Sequence, residues 1–201
     1  MTTEKKVPTV HRTRARHRIL QALYQWELTQ HDLHDIEKHF HEDQDMRRVD
    51  IEYFKELLHE IPKQKEAIDA KLEPLLDRPI DQLDPIEINI LRIAAYELIK
   101  RIDIPYKAII NEAVELAKAF GAEDSHKFVN GVVDRIADRV ELRVKEMGNR
   151  APKKRQRLNQ EIVVKRKKVK ISEKSAEAKE KALQEKIARR EAKEEMANKK
   201  F

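Results

Sequence analysis

The chain has 201 residues and is 40% charged, with 43 Lys+Arg against 37 Asp+Glu, where an ordinary globular chain is roughly 25% charged. It has no cysteine, which excludes disulfides, thiolate metal sites and cysteine nucleophiles, and its three glycines (Gly121, Gly131, Gly148) leave no phosphate-cradling glycine loop. No apolar run reaches the roughly 18 residues of a membrane span, and residues 1–10 lack the apolar core of a targeting segment, so a soluble, cytoplasmic, non-enzymatic protein is expected.

Apolar residues over the first 148 positions recur at helical spacing. A first helix is predicted over about residues 13–29, burying Ala15, Ile19, Ala22, Leu23 and Trp26. A short second one over 33–42 turns Leu33, Ile36 and Phe40 inward. Asp50 caps a third, whose Ile51, Phe54, Leu57, Leu58 and Ile61 form one stripe up to Pro62. The fourth, about 63–76, presents Ile68, Leu72 and Leu75. Asp84-Pro85-Ile86-Glu87 has the spacing of a capping box and starts the fifth, which carries Ile90, Leu91, Ala94, Ala95 and Leu98 to Lys100-Arg101. Pro105 opens the sixth, burying Ile109, Ala113, Val114, Ala117 and Phe120, and Gly121 suits a left-handed terminus there. Asp124 or Ser125 caps the seventh, whose stripe is Phe128, Val129, Val132, Val133, Ile136 and Val140. Short connections between seven helices imply an all-α bundle of two sub-bundles joined near residues 79–84.

Composition changes after Gly148. Residues 149–201 hold 19 basic and 8 acidic residues, a net charge of +11, with too little apolar surface to offset ordering entropy. This second region reads as a disordered or marginally helical basic tail on the 1–148 domain. The front, 1–18, carries six basic residues against one acid, while 19–148 is net acidic. Polyanion contact is therefore expected at the ends, with the acidic body left to meet a basic partner protein.

His11-Arg12-Thr13-Arg14-Ala15-Arg16-His17-Arg18 is the strongest local signal, because guanidinium forks match phosphates and stack on unpaired bases. Tyr24, Tyr106 and Phe128 are candidate stacking surfaces for single-stranded RNA. His31, His34, His39 and His41 lie among acids, and His31 with His34 has an i, i+3 spacing. Without an H-E-x-x-H pattern neither a metal site nor any other cofactor is expected.

Several strings resemble the NusB family of transcription antitermination factors: QALYQW at 21–26, LRIAAYEL at 91–98, DIPYK at 103–107, INEAVELAK at 110–118 and FGAEDSHKFVNGV at 120–132. The similarity covers about residues 11–142. It implies an all-helical protein that binds the boxA element of nascent RNA together with NusE, a small-subunit ribosomal protein. The setting it implies is the elongation complex on ribosomal RNA operons. It places RNA on Arg12, Arg14, Arg16, Tyr24, Tyr106-Lys107 and Phe128, to which the arginine run adds Arg18. NusE is placed on an acidic flank including Glu87, with Asp124 affecting complex formation. A homodimer that hides the RNA face is compatible with the family. The tail departs from it, and a general RNA-binding or ribosome-assembly protein with tail-dominated affinity is the alternative reading.

Overall fold

The computed structural model describes residues 8–147, so the expected tail lies outside the described residues. Among them there are eight α-helices and no strand: α1 (Thr9–Thr29), α2 (Leu33–Asp43), α3 (Ile51–Lys63), α4 (Lys65–Leu72), α5 (Pro85–Lys100), α6 (Tyr106–Phe120), α7 (Ser125–Ala137) and α8 (Glu141–Met147). Two single 3₁₀ turns, Glu73–Leu75 and Ile80–Gln82, fill the connection from α4 to α5. The all-α class is as expected. The eighth helix is not, because Val140 belongs to the break after α7 rather than to its stripe.

α5 organises the bundle. It packs against α1, α3, α4, α6 and α7, and every residue from Glu87 to Leu98 is buried. With α5 buried on every side, the two expected sub-bundles share one continuous core through it. Four polar residues of this helix are buried, and each has a partner. Glu87 accepts from Ser125 Oγ of α7 at 2.6 Å, and Asn89 donates to the Pro85 carbonyl at 2.9 Å. Arg92 grips both oxygens of Asp69 of α4 at 2.8 Å and reaches Glu27 of α1 at 2.7 Å. Glu97 takes Arg16 of α1 and Tyr53 of α3. Buried polar groups without such partners are strongly destabilising, so these pairs fix how the neighbouring helices sit around α5.

Local chemistry explains three of the helix starts and corrects three of the expectations. Asp32, Asp50 and Asp84 cap α2, α3 and α5 by accepting from His34, Tyr53 and Ile86 N–H. The capping box at Asp84 is incomplete, because Glu87 turns away to Ser125. Neither side chain expected at the start of α7 caps it: the Asp124 carboxylate takes Lys127 Nζ at 2.7 Å and the Ser125 hydroxyl is spent on Glu87. Gly121 is extended, with φ −88° and ψ 175°, not left-handed.

Crowding is what Gly121 answers. A Cβ there would stand 2.7 Å from both the Ala117 carbonyl oxygen and Ser125 Cβ. Gly121→Ala is therefore expected to cost about 1–3 kcal/mol. Gly131, inside α7 with open space around it, is expected to gain roughly 0.5–1 kcal/mol as Ala. Urea unfolding of the two variants checks the pair: a Gly121→Ala midpoint at or above the parent's would refute the crowding.

Candidate nucleic-acid interface

Residues two apart on a helix face nearly opposite ways, and residues three or four apart share a face. The arginine run of α1 is sorted by this rule. Arg12 and Arg16 fall on the stripe of Ile19 and Leu23 and turn inward; Arg14 and Arg18 share the outer face with Gln21.

On the inner face Arg16 is 2% exposed. Its guanidinium makes a forked contact with Glu97 of α5 at 2.6–3.1 Å and stands 3.4 Å from Glu112 of α6. Burial alone would lower its pKa, but the Glu97 carboxylate, then Tyr53 and Glu112, more than offset that and raise it. Burial and the Glu97 charge push the Tyr53 hydroxyl up, so Tyr53 stays a donor to Glu97. Arg12, Arg16 and Arg101 all lie 5.1–5.6 Å from the centre of the Tyr53 ring. Arg12 is half-buried and shared between Asp50 at 3.3 Å and Asp103 at 3.1 Å. Asp103 is held at about 2, chiefly by hydrogen bonds from Arg101. Arg16 is thus a core cation and not an exposed phosphate ligand, which corrects its assignment to RNA. Arg12 is committed to two carboxylates.

The outer face lines a groove of about 950 Å³ between α1 and the connection 44–50. Val10, Thr13, Arg14, His17, Arg18 and Gln21 form one wall, and Asp45, Arg47, Arg48 and Val49 the other. Arg47 clasps Asp45 with two bonds of 2.9 Å, which holds that carboxyl below its usual range. Arg18 donates to Gln21 at 3.0 Å. Arg14 and Arg48 are exposed, and the Arg14 charge also acts on Asp45 across the groove. His17 packs edge-on against Phe120, and burial lowers its pKa, so at neutral pH it is an uncharged wall. Tyr24 lies on the stripe of His17 and Gln21, 37% exposed and about 15 Å along the axis from Arg14. Arg47 and Arg48 were absent from the sequence-level site, although an adjacent Arg pair in a predicted connection was a signal that the averaged charge of the acidic body concealed.

The remaining expected residues divide differently. Lys107 is exposed at the start of α6, but Tyr106 beside it is only 4% exposed and belongs to the core, which removes its ring from stacking. Phe128 is half-buried under Arg78, whose guanidinium lies 5.0 Å from the ring centre. Arg78 also reaches Glu87 at 3.5 Å. Phe128, Glu87 and Ser125 thus form one cluster at the start of α7, beside exposed Asp124, and none of them lines the α1 groove. Phe128 thus lies under Arg78, outside the groove that the α1 arginines line.

Residues 13–138 match the NusB family. Two curated relatives, the transcription antitermination proteins NusB of Saccharophagus degradans and Teredinibacter turnerae, are 53% and 54% identical, over 67% and 66% of this chain and 91% and 90% of theirs. Among solved structures, T. maritima NusB is 34% identical with a TM-score of 0.55, over 63% of this chain and 89% of that one. A chain from a complex of the antitermination factors NusB and NusE with double-stranded RNA is 29% identical with a TM-score of 0.56, over 64% of this chain and 97% of its own. Among the described residues no helix is long and apolar enough to cross a membrane.

Proposed function

The chain belongs to the NusB family of transcription antitermination proteins, and from that premise we propose that it binds boxA RNA together with NusE. The setting is the cytoplasmic elongation complex on ribosomal RNA operons. The carrying observation is the α1 groove, lined by Arg14, Arg18 and Arg48, with exposed Tyr24 further along α1. With Arg47 counted, four arginines against the one carboxylate of Asp45 leave the groove net positive, cations there release counterions on meeting phosphate, and an exposed aromatic ring takes a base by stacking. Asp124 offers NusE an exposed carboxylate, while nearly buried Glu87 holds Ser125 and Arg78 in place beside it. A homodimer through the α1 face would compete with RNA and make binding depend on protein concentration.

The second reading, tail-dominated RNA binding, draws on the +11 charge of residues 149–201. One experiment separates the two. Fluorescence anisotropy of the full chain with boxA and scrambled RNA, with and without NusE, is followed across a salt series and repeated on Arg14→Ala/Arg48→Ala. The groove reading expects a boxA preference that NusE strengthens. It expects the double variant to lose about 1–3 kcal/mol, and two lost phosphate contacts to flatten the salt slope by about 1.4. Equal binding of both RNAs, with affinity and slope unchanged in the variant, would leave the tail as the RNA-binding element.

A further inference from the structure

The histidines of α2 do not act as the neighbours their sequence suggests. His34, Glu37 and His41 are spaced i, i+3 and i+7 along one stripe of the helix, and that stripe faces His59 and Lys55 of α3. His59 Nε2 lies 2.7 Å from Glu37 Oε2, and the His34 and His59 rings are 4.9 Å apart. One donor atom from each of His34, Glu37 and His59 falls within 4.8 Å of the other two. The second oxygen of Glu37 is held by Lys55 Nζ at 2.9 Å, with His41 Nε2 at 3.8 Å. Although burial pushes the Glu37 carboxyl up, hydrogen bonds from His59 and Lys55 keep it below its ordinary value.

We propose that His34, Glu37 and His59 bind one divalent cation of the borderline class, Zn²⁺ foremost, clamping α2 to α3. The donor set is two imidazoles and one carboxylate, which suits that class rather than Mg²⁺ or Ca²⁺, whose ligands are all oxygen. In a tetrahedron with bonds near 2.0–2.1 Å the donors stand about 3.3 Å apart. Glu37 Oε2 and His59 Nε2 need to part by only about half an ångström for that, and exposed His34 closes on them by side-chain rotation. Lys55 keeps the other oxygen and so fixes the orientation of the carboxylate. Water takes the fourth position, with His41 the nearest further imidazole. The clamped helices carry the connection 44–50, the outer wall of the basic groove, but the site itself does not depend on what that groove binds.

The test is calorimetric titration of the full chain with Zn²⁺ alone, with Co²⁺ absorption to report four-coordinate geometry. One saturable site is expected, with a thermal midpoint raised by roughly 5–10 °C at about a hundredfold excess over Kd. His34→Gln, at an exposed position, and His59→Gln should each weaken binding by at least about tenfold. Because His34 is exposed, H34Q should leave the metal-free midpoint unchanged, which keeps the test valid even if H59Q folds poorly. The double variant His31→Gln/His39→Gln, altered only outside the cluster, should bind as the parent does. Absence of a saturable site, or an equal loss in the His31/His39 variant, would overturn the proposal.

Discussion

Arg16→Ala is expected to cost about 3–5 kcal/mol of folding stability, because it leaves the Glu97 carboxylate buried without its cation. In a domain of this size that lowers the thermal midpoint by roughly 10–15 °C. The loss is expected to be large because the pair joins more than two residues. Arg16 and Tyr53 both donate to Glu97, and Glu112 approaches the other side of the guanidinium, so α1, α3, α5 and α6 meet at this one point. Glu97→Gln should cost a similar amount for the converse reason. The double variant Arg16→Met/Glu97→Gln should recover part of either loss, since removing both charges removes the uncompensated one. Arg14→Ala, two residues away on the outer face, should leave the midpoint where it was and weaken RNA binding instead. Urea unfolding followed by circular dichroism, set beside RNA anisotropy, reads both quantities. If Arg16→Ala kept its stability and lost RNA affinity, the guanidinium would be turned outward in solution and the inner network would not be native.

The contrast between Arg14 and Arg16 marks how far the sequence can be read. The apolar stripe Ala15, Ile19, Ala22 and Leu23 already defined the inner side of α1, and Arg12 and Arg16 fall on that side by the same periodicity. That arginines were divided was therefore legible. What Arg16 meets was not, because Glu97 is 81 positions away and one acid in a highly charged chain carries no label. The helix positions and most of the core were legible for the opposite reason: caps and apolar spacing are local, and they compete with few alternatives. Tyr106 and Phe128 were ambiguous because an aromatic ring at helical spacing serves a core or a base equally well. Only the fold shows that the first is sealed in and the second covered by Arg78. The His59 contact with Glu37 spans 22 positions, which is why the histidine-rich run pointed to His31 rather than across to α3.

α8 shows the same limit, and Arg143 gives it a test. Read as a string, Glu141–Met147 offers Leu142 and Val144 for burial, yet these are 53% and 45% exposed and it is Arg143 that is 1% exposed. Its guanidinium donates to the carbonyls of Leu98 at 3.0 Å, Ile104 at 2.9 Å, Glu97 at 3.2 Å and Arg101 at 2.8 Å. The last carbonyls of a helix lack partners within it, and a cation there also meets the negative end of the dipole. The Glu97 and Arg101 carbonyls also accept backbone N–H groups from Arg101 and Ile104; those of Leu98 and Ile104 depend on Arg143 more heavily. Glu146 extends the joint, taking Arg143 with one oxygen at 2.9 Å and the Tyr106 N–H, at the start of α6, with the other at 2.9 Å. Arg143→Ala is thus expected to cost about 2–4 kcal/mol, from buried carbonyls left unpaired and from lost packing. Arg143→Lys should restore less than half, since an ammonium cannot span carbonyls arranged for a planar fork. Hydrogen exchange should quicken first over residues 101–108, where α5 hands over to α6, while exposed Lys107→Ala leaves exchange there unchanged. A variant that lost Arg143 without losing stability or protection in that segment would show that α8 merely rests on the bundle instead of closing it.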